Sequence, residues 1–169
     1  MSYDALIAEM PRMREYARYL ARDHVAADDL VQDSLSRAMV AIDGRDSDKS
    51  LRAWLFSIMR NRHIDIVRRK AAAPDGVELD TIEHAMPAQE DGATDFLIDL
   101  SNAFDTLPDE LKETMWLVGL QGYSYEEAAT VMAIPIGTVR SRVFRARALL
   151  RNSMAAYFPR VDDNGEENA

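Results

Sequence analysis

The chain has 169 residues, 47% of them apolar, with 7 Gly, 6 Pro and a formal net charge of −9. That is enough for one or two small globular domains and too apolar for a disordered chain. The lack of cysteine excludes a disulfide framework and a thiolate metal site and suits a reducing cytosol; no apolar run approaches the ~20 residues of a membrane span, and the opening MSYDALIAEM lacks the layout of a signal peptide, so a cytoplasmic protein without membrane insertion is expected.

Apolar spacing is helical nearly everywhere, with no sustained period-2 alternation, so the expected class is all-α. A short segment around residues 5–10 leads to Pro11 as the first residue of a helix that carries Met13, Tyr16, Ala17 and Leu20 on one face and ends near residues 23–25. The next helix is expected from about Asp28 to Ile42, with Leu30, Val31, Leu35, Ala38 and Ile42 inward and Asp28 or Asp29 favourable at its N-terminus. GRDSDKS, residues 44–50, reads as a loop. A long helix then runs from about Ser50 to Lys70, with Leu51, Leu55, Ile58 and Ile66 on one stripe and a basic end, RNRHIDIVRRK.

From Ala71 to about Gln89 Pro, Gly and acidic residues show no clean period, which predicts a linker. Helices are expected over Asp95–Phe104 and Asp109–Leu120, the second closed by Gly122. Ser124-Tyr125-Glu126-Glu127 has the S-x-x-E form of a capping box, so a further helix should run from Ser124 to about Ala133. Residues 134–137, IPIG, interrupt it, and a last helix follows from about Thr138 to Arg151. The tail after Ala156 is expected to be disordered.

Charge is segregated along this order. Residues 1–72 carry net +2, residues 73–113 net −11, residues 114–151 net +3 and residues 152–169 net −3. Two neutral-to-basic blocks flank an acidic one, a division that suits two modules and a linker, with nucleic acid meeting the blocks and avoiding the linker.

Two short helices joined by a three- or four-residue turn describe a helix-turn-helix, and the preceding helix would complete a three-helix core. On the last helix Val139, Val143, Ala146 and Leu150 fall within about 60° of one another at the helical step. Opposite lie Arg140, Ser141, Phe144 and Arg145. Arginine matches guanine edges and phosphates, serine can donate to either, and an exposed aromatic can pack on a thymine methyl or a sugar, so the face fits a DNA major groove. Arg142, Arg147 and Arg151 sit nearer its edges and suit phosphates, which position without specifying. The plainer alternative is a solvated basic helix with one stray aromatic.

The stretch YSYEEAATVMAIPIGTVRSRVFRARALL, residues 123–150, closely resembles region 4 of bacterial sigma factors of the extracytoplasmic-function (ECF) type, in the sigma-70 family. ADDLVQDSLSRAM, residues 27–39, resembles that family's region 2.2, and LRAWLFSIMRNRHIDIVRRK, residues 51–70, its regions 2.3 and 2.4. The opening MPRMREYAR and GYSYEEAA are similar to the subgroup tied to general stress responses in alphaproteobacteria. The resemblance covers nearly all of residues 8–155 in order. It implies two small helical domains, region 2 over residues 1–72 and the region 4 helix-turn-helix over 95–158, joined by an acidic linker over 73–94 and followed by a disordered tail, 159–169.

The family's roles carry over by position. Arg140, Ser141, Phe144 and Arg145 are implied to meet the minus-35 element, with Thr138, Arg142 and Arg147 beside them. Asp29, Gln32, Asp33 and Arg37 are implied to face a coiled coil of core RNA polymerase, although without the flanking matches they read as a solvated acidic face. The loop of residues 45–50, with Arg45, Ser47 and Lys49, and the residue at Asn61 are implied to capture a base flipped out of the minus-10 element, with Arg60, Asp65, Arg68 and Arg69 nearby. Extruding a base costs a few kcal/mol, so such a pocket must supply polar contacts; each of these residues alone could equally be a surface residue. Trp54 could stack on a base but borders the apolar stripe and reads first as core.

Modest basicity and an acidic linker imply weak binding to free DNA, because affinity scales with the counterions released. The resemblance implies a sigma factor acting on promoter DNA with core RNA polymerase, and an anti-sigma partner that occludes regions 2 and 4. By the same analogy the acidic linker would follow the polymerase's RNA exit path. Two rivals differ in class: a sigma-like mimic that sequesters an anti-sigma factor, and a simple helix-turn-helix regulator. An enzyme is not expected, since His24, His63 and His84 lack ligand spacing and neither a phosphate-cradling glycine loop nor a nucleophile motif is present. No metal, cofactor or small-molecule substrate is expected.

Overall fold

A computed structural model describes residues 3–46, 48–72 and 95–157 of the chain, and no strand occurs among them. The expected linker over 73–94, the tail over 159–169 and Ser47 lie outside the described residues. The all-α expectation holds. The chain resolves into two compact units, one of residues 1–84 with 123–136 and one of residues 85–122 with 137–169.

The first unit is built on three long helices. Helix α1, Tyr3–Ala21, is continuous and contains Pro11 in its interior, where the sequence reading started a new helix at that residue. Proline removes one backbone hydrogen bond and costs about 3 kcal/mol in a helix interior. Here Pro11 is exposed while Leu6, Met13, Tyr16 and Ala17 are all buried. Their spacing of seven, three and one places them on a single face only if the helix runs through the proline, and burial of four side chains at about 1.5–3 kcal/mol for each large one outweighs the lost bond.

Helix α2, His24–Ala41, begins four residues earlier than expected, because Asp23 rather than Asp28 caps it: the Asp23 carboxylate accepts from the Ala26 amide at 2.8 Å. An N-cap aspartate satisfies one of the orphan donors of the first turn. Its buried residues are Ala27, Leu30, Val31, Ser34 and Ala38, and Leu35 and Ile42 from the expected stripe are only half-buried. Helix α3, Leu51–Ala71, is capped by Ser50, whose hydroxyl accepts from the Ala53 amide at 3.3 Å. Ala53, Leu55, Phe56 and Met59 are buried on it, whereas Leu51, Ile58 and Ile66 are half-buried. The inward face is thus rotated from the expected stripe, because α3 packs against α1, α2 and one further helix rather than against a single neighbour. Phe56 stacks on Tyr16 of α1 with ring centroids 4.9 Å apart, an arrangement worth about 0.5–1.5 kcal/mol beyond area burial.

In the second unit, α4 (Asp95–Asp105) and α5 (Asp109–Met115) bury Ala103, Phe104 and Leu111. Lys112 of α5 is also buried, its ammonium donating to the Asp105 carbonyl at 2.9 Å. A buried cation needs such acceptors. The helix then widens to a π turn over Trp116–Leu120, and Gly122 follows with φ +68°, the left-handed conformation expected of it.

Helix α6, Tyr125–Met132, is capped by Ser124 in a complete capping box: the Glu127 amide donates to the Ser124 hydroxyl at 3.1 Å and the Ser124 amide to the Glu127 carboxylate at 3.0 Å. It ends in the left-handed region at Ala133, φ 54°. Although it follows the second unit's helices in sequence, α6 packs with the first unit, on α3. Helix α7, Ile136–Ser153, starts directly after Pro135, two residues before the expected Thr138. A short 3-10 turn at Ala155–Tyr157 closes the described chain.

Candidate nucleic-acid interface

Helix α7 divides cleanly into two faces. Val139, Val143 and Ala146 are buried and Leu150 half-buried, while Arg140, Ser141, Phe144, Arg145 and Arg147 are exposed. Phe144 is 76% exposed. Leaving a phenylalanine in water forgoes about 1.5–3 kcal/mol of burial that its neighbours one turn away collect, so its place among arginines points to a ligand that covers it. The Ser141 hydroxyl donates to the Thr138 carbonyl at 3.0 Å, which leaves its oxygen free to accept. Thr138 is half-buried.

Arg142 differs from the other arginines of α7. Its side chain is only 14% exposed and its guanidinium donates to the Glu110 carboxylate at 2.9 Å. Its position on the helical wheel suits a phosphate; in the structure it joins α7 to α5 within the second unit.

The second candidate surface lies on α3 and the loop before it. Asn61, Asp65, Arg68 and Arg69 are exposed, and Arg60 is half-buried. Spacings of four, three and one put the four exposed residues along one side of the helix. Arg68, Arg69 and Lys70 also occupy its last turn, where cations complement the helix dipole whatever else they do. In the loop, the Arg45 guanidinium lies 5.9 Å from the Trp54 ring centroid and donates to the Lys49 carbonyl, while the Lys49 ammonium sits 3.5 Å from Asp46. Trp54 itself is half-buried. Arg45 over the indole thus ties the loop to α3, a cation–π contact.

On α2, Asp29, Gln32 and Arg37 are exposed. Asp33 is half-buried and engaged twice, by Arg37 one turn on at 3.3 Å and by Arg62 of α3. Burial pushes its carboxyl up, but hydrogen bonds from Arg62 and then Arg37 outweigh this and hold it below its ordinary value of 3.8. Nothing in the local sequence marks Arg62 as the partner of Asp33. The i, i+4 pair Asp33–Arg37 is legible there, but a partner 29 residues away is not.

The chain is 35% identical to the ECF RNA polymerase sigma factor EcfG of Rhodopseudomonas palustris over 170 residues, covering 98% of this chain and 90% of that one. This chain belongs to the ECF sigma factors. Within the sigma factor, residues 6–73 match the family model of sigma-70 region 2 and residues 97–150 that of sigma-70 region 4. The first match contains α1 to α3 nearly entire; the second runs from α4 into α7 and includes α6. The sigma factor is also 32% identical to the ECF RNA polymerase sigma-E factor of Salmonella typhimurium over 139 residues, 75% of this chain and 72% of that one. Among solved structures it is similar to the sigma factor RpoE of Bartonella quintana, in complex with the anti-sigma factor NepR, with a TM-score of 0.73, 34% identity and coverage of 94% and 98%. Among the described residues, no helix of this sigma factor is long and apolar enough to cross a membrane, and no group of three or more His, Asp or Glu could hold a metal ion.

Proposed function

We propose that this sigma factor binds core RNA polymerase through the exposed polar face of α2 and brings it to promoters that it reads at two places. Arg140, Ser141, Phe144 and Arg145 of α7 contact the minus-35 element in the major groove, with Thr138 at the start of the helix and Arg147 on a flanking phosphate; Arg142 positions the helix through Glu110. Asn61, Arg60, Asp65, Arg68 and Arg69 of α3, with Arg45, Ser47 and Lys49 of the preceding loop, meet the minus-10 element, where an extruded base needs polar contacts to its edge. Asp29, Gln32, Asp33 and Arg37 face the polymerase. Residues 1–72 and 95–158 act as the two functional modules, and the acidic linker between them keeps clear of duplex DNA.

The observation that carries this reading is the exposed Phe144 within an arginine face, on a helix whose opposite face buries Val139, Val143 and Ala146. The polymerase performs the chemistry and this chain supplies recognition. The likeness to a sigma factor captured with an anti-sigma factor supports an anti-sigma partner here, action in the cytoplasm and the stress-response subgroup. A mimic that only sequesters such a partner would have no use for Arg140, Ser141 and Arg145 as an exposed set.

Adding the purified chain to core RNA polymerase and measuring run-off transcription on a panel of promoters tests the proposal. Initiation confined to templates sharing minus-35 and minus-10 elements is expected. Failure on every template would favour the mimic.

A further inference from the structure

Helix α7 carries five arginines and no acidic residue. Arg142 has its carboxylate in Glu110. Arg140, Arg145, Arg147 and Arg151 are exposed and have no ion pair among the described residues. Arg140, Phe144, Arg147 and Arg151, at spacings of four, three and four, form one ridge, which runs for about 17 Å at the helical rise of 1.5 Å per residue. Arg145 lies beside it, and Phe144 in the middle is 76% exposed. Like charges along one ridge repel one another and favour an anionic cover.

The chain itself supplies such an anion. Residues 158–169, FPRVDDNGEENA, contain Asp162, Asp163, Glu166 and Glu167 against Arg160 alone. Their starting point is fixed at the C-terminal end of α7. The Tyr157 amide donates to the Met154 carbonyl at 2.9 Å and the Met154 amide to the Leu150 carbonyl at 2.9 Å. The Tyr157 hydroxyl donates to Asp99 of α4 at 2.6 Å, and its ring meets that of Phe96 edge to face at 5.1 Å. A chain of n residues spans on average about 5–6 Å × √n, so the nine residues from Tyr157 to Glu166 span about 17 Å. That is the length of the ridge, and a tethered ligand has its highest effective concentration when its mean reach matches the distance to its site.

We propose that residues 158–169 fold back along α7 in the free sigma factor, with Asp162 and Asp163 on Arg151 and Arg147 and with Glu166 and Glu167 on Arg145 and Arg140. The segment thereby shields the DNA-reading face until a promoter displaces it. Each pair is exposed and individually weak, and a duplex presents a phosphate about every 1.7 Å of its axis, so displacement by DNA is reversible and cheap. The cover also sharpens selection. A duplex of unrelated sequence replaces carboxylate contacts with phosphate contacts alone, whereas a minus-35 element adds contacts to base edges that the segment does not offer. This consequence rests on the minus-35 reading of α7, although the contact itself does not.

The chain has no cysteine, so Asn164→Cys carries a single nitroxide label. In the free full chain the label should broaden the amide resonances of residues 140–151. The broadening should be lost when Asp162→Asn, Asp163→Asn, Glu166→Gln and Glu167→Gln are introduced together. Sharp resonances along α7, or broadening that survives the neutralised segment, would overturn the contact. Equal broadening of unlabelled chains mixed with labelled ones would assign it to a second copy and overturn folding back within one chain. Fluorescence anisotropy of the free chain on a short duplex at low salt reads the shielding. The neutralised segment should raise affinity about fivefold, the sum of a few exposed ion pairs, and the gain should fall below about twofold when Arg147→Ala and Arg151→Ala remove two of the partners. An absent gain, or one unchanged in that background and so due to net charge alone, would overturn the shielding. Neither measurement uses polymerase, so the cover can fail while run-off assays still support the promoter reading. Broadening on α7 in a chain that initiates on no template would keep the contact and remove the promoter reading.

Discussion

Arg142 of α7 donates to Glu110 of α5 at 2.9 Å with most of its side chain covered. An arginine that the sequence places on the edge of a DNA-reading face is therefore committed to holding that helix in place. Arg142→Ala should lower the stability of the second unit by about 0.5–1 kcal/mol, the range of a partly exposed pair. It should leave the salt dependence of promoter binding nearly unchanged. Thermal melts together with a salt titration separate the two roles; a slope reduced by one phosphate contact with an unchanged melt would return Arg142 to the DNA.

Arg145 is exposed and faces away from the buried stripe. Arg145→Ala should cost about 1–3 kcal/mol at one minus-35 position and relax the base preference there, whereas Arg147→Ala should weaken all sequences alike and reduce the salt slope by about one. Binding of the polymerase holoenzyme to a set of single-base promoter variants checks both. A uniform loss for Arg145→Ala would make it a phosphate contact instead.

Phe144→Ala removes a side chain that the fold does not cover. Its effect on stability, read from thermal melts, should be within about 0.5 kcal/mol of zero, as for surface substitutions generally, while minus-35-dependent transcription falls. A large loss of stability with unchanged transcription would contradict its place on the reading face.

Asp33 and Arg62 join α2 to α3. The folded carboxyl is held below its ordinary value of 3.8, so the unfolded chain takes up a proton first as pH falls. The pair's contribution is present above the ordinary carboxylate range and is lost as pH drops through the lowered folded value. Comparing acid unfolding of the native chain with Asp33→Asn should show the two curves converging only as pH falls through the lowered folded value, below which both carry a neutral side chain at that position. Curves that stay parallel to the acid limit would show that the pair adds nothing specific.

Much of this protein is legible in one dimension. The capping box at Ser124 and Glu127, the glycine turn at Gly122 and the two faces of α7 follow from local spacing, because each depends on residues within one or two helical turns. Element boundaries differ from local expectation where two signals compete. Pro11 reads as a start by local rule, yet α1 runs through it because four buried side chains lie on both sides; Asp28 or Asp29 reads as the favourable start of α2, and only the geometry of the turn selects Asp23 as the cap.

The sequence by itself determined the helical class, the order of the two family regions and which face of α7 is buried and which exposed, all carried by periodicity and by motifs contiguous in the chain. Tertiary structure alone decided that Arg62 reaches Asp33, that Arg142 turns to Glu110, and that the Glu127 carboxylate accepts from the Ser50 hydroxyl. Those pairings join residues 29 to 77 positions apart. No local pattern encodes them, because a charged side chain has many possible partners until packing brings one within hydrogen-bonding reach.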